Sequence, residues 1–415
     1  MRIAIIGSGI AGLTAAHRLQ DRHAVTIFEA GTYAGGHTHT VDVDAGGTPY
    51  AIDTGFIVFN HQHYPRFTQL LDELQVPSHP TVMDFSVRSE RSGLEYGSRS
   101  LNAVFAQRRN LVRPAFAGMI RDVIRFNREA ASGPLPDDQV SVGAYLDHHR
   151  YRPAFADEYL LALGASLWSC PPARFRAFSM RFVIEFLRNH ALLQLTGQPV
   201  WRVVTGGSRR YVEALIARFT GEIRLGHAVR RVRRFPGHVT ITDYTGAEAT
   251  FDHVVLACHA DQSLAMLADP SRVERDVLNA FPYQRNDVLL HTDPSVLPRS
   301  RRAWASWNYT VPAAARETVS VTYQMNRLQG LRAPHLFNVT LNDNGRVRPE
   351  HVLARFVYEH PAFMPGRDAM QRRHAELIDV NRTSFCGAYW GYGFHEDGVR
   401  SGLAVARTLS RSLAA

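Results

Sequence analysis

The chain has no lysine. All 47 of its lysine-or-arginine positions are arginine, set against 38 acids in 415 residues. Schiff-base chemistry and any other lysine-based mechanism are therefore excluded. Cysteine is also scarce. Cys170, Cys258 and Cys386 are odd in number and far apart, which argues against a disulfide framework and a cysteine-based metal cluster. No stretch approaches 18 uninterrupted apolar residues, so no membrane-spanning helix is expected. The 20 histidines show no metal-ligand spacing with cysteines or carboxylates, and no metal is expected. There is no internal repeat, no low-complexity tract and no nucleic-acid-binding module, so the positive balance alone does not point to nucleic acid. The N-terminus reads as a strand, without a basic leader or cleavage site, and a cytoplasmic address is the expectation.

What is present is concentrated in residues 1–36. An apolar run, Ile3 to Ile6, leads into Gly7-Ser8-Gly9-Ile10-Ala11-Gly12. A helical pattern follows to Leu19, and a second apolar run, Val25 to Phe28, ends in Glu29. Gly7 permits the tight turn, Gly9 lets backbone approach a diphosphate, and Gly12 lets helix pack on strand. Free N–H groups at the helix start, Ile10 and Ala11 among them, attract the phosphates. Glu29 stands where a carboxylate accepts hydrogen bonds from a ribose diol. The unit predicts dinucleotide binding. A second glycine pair, Gly35-Gly36, just past Glu29-Ala30 predicts another close backbone approach to the ligand.

With Leu13, Ala15, Ala16, Leu19, Glu29, Ala30, Gly35 and Gly36, this stretch resembles the flavin amine oxidase superfamily. That group includes amine oxidases, carotenoid desaturases, protoporphyrinogen oxidase and unsaturated fatty-acid isomerases. The resemblance implies non-covalently bound FAD. It also implies an α/β fold: a Rossmann-like FAD-binding domain of glutathione-reductase type, interleaved with a mixed α+β substrate domain. The chain departs from the pattern at His37, where the family usually has Arg or Lys. His37 pairs with the diphosphate only if protonated. The missing lysine also departs from amine oxidases that place one near flavin N5.

Length and composition suit two interleaved domains around one cofactor. The expected division is 1–80, 200–262 and 376–415 for the FAD-binding domain, with 81–199 and 263–375 for the substrate domain. Residues 40–43 and 50–53 read as a hairpin, followed by Asp53-Thr54-Gly55-Phe56, similar to a flavin-bordering family segment that includes Gly55. A helix is expected from Pro65 to Leu74 and a hairpin over 85–98. Residues 101–130 read as helical, interrupted by Pro114, with an apolar side and an arginine side. A surface helix pair is one reading. A membrane-surface segment attracted to anionic lipid is the other. Strands are expected in 221–232, at 239–242 and 249–251, and at 304–309 and 319–325. Asp252 to Cys258 reads as a buried parallel strand. The resemblance places its end, Ala257, and Val229 against FAD, Val229 at the adenine.

The C-terminal segment reads as a strand to Gly387, a loop and a helix to about Ser412. By resemblance, that helix start faces the flavin N1–C2=O edge, with the backbone around Glu396, Asp397 and Gly398 stabilising charge there. Helix capping by Asp397 or Glu396 is the alternative. Trp390 and Tyr392 are candidates for an aromatic cage or for the wall of an acyl site. His395 is the candidate proton-transfer group, since imidazole titrates near neutrality. Tyr309, Tyr323, His37 and His190 are further candidates.

The segments 53–60, 192–212, 302–310, 321–329 and 386–403 resemble a narrower bacterial group of FAD-dependent oxidoreductases. Genes of that group neighbour cyclopropane-fatty-acid synthase-like methyltransferases. This implies an unsaturated or methylated fatty acyl substrate, lipid-linked or free. Hydride would pass from an allylic or branched carbon to flavin N5. It further implies peripheral contact with an anionic membrane, at its inner face, and a lipid methyltransferase as partner. The alternatives are double-bond isomerisation, amine oxidation, and a non-catalytic flavin-binding partner of such a methyltransferase.

Overall fold

The computed structural model describes residues 1–168, 170–194, 197–314, 319–364 and 366–411. Its centre is a five-stranded parallel sheet in the order Glu222–Arg224, Ala24–Phe28, Arg2–Ile6, His253–Leu256 and Thr383–Phe385. The continuous apolar runs of the sequence form the middle of this sheet because both faces are covered. Ile3, Ala4 and Ile5 are wholly buried, as are Val254, Val255 and Leu256.

Two helices from opposite ends of the chain lie together beside this sheet. Helix Ile10–Leu19 leaves the glycine turn, and helix His395–Arg411 packs against it. The second helix buries Gly398, Ser401, Gly402, Val405 and Leu409, spaced three and four apart on one face. Small residues set the distance. A Cβ on Gly398 would lie 2.6 Å from Ile10 Cγ2, and one on Gly402 would lie 2.5 Å from the Ala11 carbonyl oxygen. Glu396 reaches sideways, and its carboxylate accepts hydrogen bonds from the N–H groups of Arg66 (3.1 Å) and Phe67 (3.0 Å). It thereby caps helix Pro65–Leu74, whose own preceding residue, Tyr64, offers no side-chain cap.

A seven-stranded mixed sheet lies apart from the parallel one. Its order is Val352–Pro361, Tyr283–His291, Asn338–Leu341, Val321–Gln324, Trp307–Val311, Phe85–Ser89 and Glu95–Gly97. Only the pairing of Trp307–Val311 with Phe85–Ser89 is parallel. Helices Pro114–Ser132, Val142–His148, Leu161–Trp168 and Met180–Asn189 share an apolar core with this sheet, through Phe126, Leu146, Phe186, Tyr309 and Val321. This is the α/β architecture that the sequence led us to expect.

Local details differ from expectation. Pro114 does not interrupt a helix; it opens one at the first helical position, where its missing N–H costs nothing. Ahead of it are two short turns, Leu101–Val104 and Arg108–Val112. Segment 221–232 supplies strands to two sheets. Glu222–Arg224 edges the parallel sheet, whereas Val229–Arg234 joins Val239–Asp243 and Glu248–Phe251. Residues 304–306 follow a 3-10 turn, and the strand starts at Trp307. The C-terminal helix is described to Arg411. Ser412, like Leu195 and Thr196 inside segment 192–212, lies outside the described residues.

Replacing Gly402 by Val forces atoms into the Ala11 carbonyl of the facing helix. We expect G402V to lose about 1–3 kcal/mol of stability, the usual cost of overpacking, measured by urea denaturation. An unchanged midpoint would show that the two helices are not in register through Gly402.

Candidate cofactor cradle and reaction site

The glycine turn is built from contacts that only glycine permits. Gly7 has φ +105°, its N–H donates to the Phe28 carbonyl (2.8 Å), and a Cβ there would lie 2.8 Å from the Ala257 oxygen. A Cβ on Gly12 would overlap the Gly7 carbonyl. Gly9 is different. A Cβ there meets nothing within 4 Å, so its glycine is not explained by protein packing. Gly9 precedes helix Ile10–Leu19, which has no side-chain cap and no acid in its first turn. An uncapped helix start beside open space suits an anion.

The rest of the cradle follows in sequence order. Glu29 is fixed at the strand end. Its carboxylate accepts from Ser8 N–H (2.9 Å), from the Ser8 hydroxyl and from Gly31 N–H (2.8 Å). The Glu29 and Gly31 carbonyls in turn accept from His227 and Gly226 N–H groups. This brings the segment that leads to buried Val229 alongside Glu29 and the exposed Ala30. Gly35 and Gly36, at φ +127° and +59°, run beside the turn, with Gly36 against Gly9 and Gly35 N–H on the Ser8 carbonyl. His37 then pairs with the segment that follows strand Pro49–Asp53, since its carbonyl accepts from Phe56 N–H (2.8 Å) and leaves no room for a Cβ on Gly55. At the far end, Asp397 accepts from Phe394 N–H (3.1 Å) and pairs with Arg400 (3.0 Å). Burial raises the Asp397 carboxyl to about 6. Asp397 is thus a local cap of its helix, and Glu396 caps another. Gly398 packs directly against Ile10 and Ala11, the first-turn residues of the N-terminal helix.

The structure does not bring the four expected catalytic side chains together. The expectation for His395 as a proton-transfer group is corrected. Its ring stacks on Phe56 (centroids 3.4 Å apart), and its Nε2 lies 3.0 Å from Thr38 Oγ1 and 2.9 Å from the Tyr211 hydroxyl. Burial holds its pKa well below the usual value. A neutral imidazole, engaged through Nε2, ties the helix start to two neighbouring segments. The expected cage is also corrected. Trp390 stacks on His374 (4.1 Å) and packs beside Phe281 and Tyr389, a core cluster apart from that of Tyr392. Tyr392 instead faces Phe182 (5.7 Å), Phe186 (5.4 Å) and His190 (5.7 Å). Tyr309 lines a cavity of about 130 Å³ with Arg91, Asp157 and Leu161. Tyr323 lies on the mixed sheet beside Trp307.

What gathers around Tyr392 is an aromatic wall. Phe394 joins Phe186 (5.8 Å) and His190 (5.4 Å), and Phe363 joins Phe182 (5.4 Å) and Trp168 (6.1 Å). Arg367, which sequence reading missed, closes one end. It is 2% exposed, with its guanidinium carbon 3.7 Å from the Phe363 ring centroid. Its Nη2 donates to the Tyr389 and Gly391 carbonyls (3.1 and 2.8 Å), while Nε and Nη1 have no hydrogen-bond partner. Burial pulls its pKa down to about 10, which still leaves it cationic at neutral pH. A buried Asp53 was legible only as part of a family segment. It accepts from Thr40 Oγ1 (2.6 Å), Ser208 N–H (2.9 Å) and Gln329 Nε2 (3.2 Å), and burial raises it to about 6.

The comparisons agree with this geometry. The model of the family described as flavin containing amine oxidoreductase matches residues 10–410. The chain belongs to that family. A candidate flavin-containing monoamine oxidase of Mycobacterium tuberculosis is 27% identical over 289 residues, 65% of this chain and 59% of that protein. The chain thus spans about three fifths of that curated relative. Among solved structures, a cofactor-redesign variant of putrescine oxidase superposes with TM-score 0.71 at 15% identity, over 99% of both chains. A CLA-producing fatty acid isomerase from P. acnes gives TM-score 0.64 at 16% identity, over 99% of this chain and 98% of that one. Those likenesses are of fold. The cofactor of the family fits the residues found here: an uncapped helix start, the unoccluded Gly9 and the anchored Glu29.

Gly9 separates cofactor binding from folding. We expect G9V to keep the wild-type denaturation midpoint of the FAD-free protein and to lose FAD affinity at least tenfold by flavin fluorescence titration. Wild-type affinity in G9V would remove Gly9 from the cradle.

Proposed function

We propose that the protein is an FAD-dependent oxidoreductase that acts on an unsaturated or methyl-branched fatty acyl chain. The observation that carries this reading is the aromatic wall ending at a buried guanidinium. Stacked and edge-on rings contribute about 0.5–1.5 kcal/mol per pair beyond their burial, and an apolar neighbourhood of this kind suits a hydrocarbon. A buried cation with unused donors is costly and repels a cationic amine while attracting an anionic or strongly polar end. The separation of Trp390 from Tyr392 also removes the cage that an amine would use.

FAD, when bound, supplies the two-electron acceptor for the hydride. The chain's own residues bind and orient. The glycine turn and Glu29 hold the dinucleotide. His395, Thr38 and Tyr211 fix the helix start, and the ring wall excludes water from the acyl chain. His190 stands in that wall beside His63 (5.3 Å), and burial lowers its pKa to about 4. A neutral imidazole there can accept a proton, and we assign His190 that task in place of His395. Its Nδ1 lies 2.9 Å from the Phe186 carbonyl, which it meets as donor, leaving Nε2 as the accepting atom.

Access from a lipid surface fits the same reading. Among the described residues, Leu101, Leu111, Val112 and Ile124 are exposed large apolar side chains within one segment. Residues 99–128 carry seven arginines and one acid, the buried Asp122. Apolar side chains among arginines suit the anionic leaflet of a membrane. No described helix is long and apolar enough to cross one.

The test is anaerobic mixing of the FAD-loaded protein with cis-unsaturated and cyclopropane fatty acids, and separately with primary amines. We expect bleaching of the visible flavin band by an acyl compound and none by amines, with H190Q slowing bleaching at least tenfold. Bleaching by amines alone would overturn the acyl assignment. A shifted double bond without net bleaching would replace oxidation by isomerisation.

A further inference from the structure

Three partly buried imidazoles cluster near the glycine turn, and the proposed reaction uses none of them. His37 follows Gly36, which lies against Gly9. His259 follows the Ala257–Cys258 peptide, against which Gly7 packs. The His37 ring centroid is 6.0 Å from that of His259 and 5.6 Å from that of His360. His37 Nε2 is buried without a hydrogen-bond partner, whereas His259 Nδ1 has the Glu359 carboxylate 3.3 Å away. Unmatched buried ring nitrogens are rare and costly in a finished core. The one on His37, directly after the glycine that lies against Gly9, marks a place prepared for a ligand.

We propose that His37, His259 and His360 together supply the counter-charge for the FAD diphosphate, and that FAD binding draws at least one proton onto this cluster. The diphosphate diester brings two negative charges. The chain has no lysine, and at position 37 it has no permanent cation. Neutral imidazoles can hydrogen-bond one phosphate oxygen each, but only a protonated imidazole offers both ring nitrogens as donors and a positive charge.

The surroundings decide the sign. His37 faces the Tyr358 ring (5.4 Å) and the Glu359 main chain, and it senses His395 beyond. His259 stacks on Tyr283 (4.1 Å), with the Glu359 carboxylate 3.3 Å from Nδ1 and Asp261 nearby. His360 Nδ1 meets Asn286 Nδ2 at 3.1 Å. Burial dominates in all three, with mutual repulsion added at His37 and His360. It lowers His259 and holds His37 at about 4 and His360 at about 3. His37 and His360 are therefore neutral at pH 6 before FAD binds. A bound dianion favours the charged form and raises these values. Between the free and bound pKa, each linked proton weakens FAD binding about tenfold per pH unit as pH rises.

The experiment is fluorescence titration of the protein with FAD from pH 5.5 to 8.5, with calorimetry at pH 6.5 in buffers of different ionisation enthalpy. We expect the dissociation constant to rise at least tenfold across the range, and about one proton to be taken up per FAD. H37R should flatten the pH dependence while retaining affinity, because its charge is permanent. H360Q should flatten it with weaker binding. The proton count needs no variant, so it stands even if a substitution fails to fold. A pH-independent dissociation constant with no proton uptake would overturn the proposal, whatever substrate the enzyme takes.

Discussion

The close approach of two glycine-bearing helices from opposite chain ends is the constraint on which the structure depends. Gly398 and Gly402 let helix His395–Arg411 sit on Ile10 and Ala11, a separation that larger side chains forbid. The parallel strand Thr383–Phe385 feeds that helix from the sheet edge beside His253–Leu256. The start of the C-terminal helix is thereby held against the start of the N-terminal one. Interlocking capping by Glu396 and bridging by His395 then fix the intervening segments to it.

The cradle and the wall differ in their chemistry. Backbone N–H groups, three imidazoles and Glu29 surround the glycine turn. Rings surround Tyr392, and one cation closes their end. The polar cradle and the apolar wall lie on different structural units. The cradle belongs to the parallel sheet and its turn. The wall belongs to helix Met180–Asn189, the C-terminal loop and Phe363, two residues past strand Val352–Pro361. The C-terminal segment contributes to both, so an alteration of its loop reaches cradle and wall together.

Much of the cradle was legible because its requirements are local. Gly7, Gly9, Gly12 and Glu29 stand at spacings that backbone geometry dictates, and the apolar runs around them have one reading as buried parallel strands. The reaction site was legible only in part. Trp390, Tyr392 and His395 are close in sequence, yet glycines at 391 and 393 turn the chain so that their side chains enter three different environments. His259 and His360 lie far from His37 in sequence and meet only through sheet packing. Arg367 looked like one of many surface arginines. Its burial follows from Phe363 and from the carbonyls of the C-terminal loop, which no linear pattern signals. Glycine-Glycine-His-Thr at 35–38 was the available clue, since a histidine there asks where a compensating charge comes from.

The central claim is that both helix starts are organised around one FAD. Protein purified in the presence of FAD, washed free of excess and denatured with acid tests it most directly, through the absorption of the released flavin. The account predicts one FAD per chain, all of it released to the supernatant. A protein that stays colourless through this treatment would contradict it.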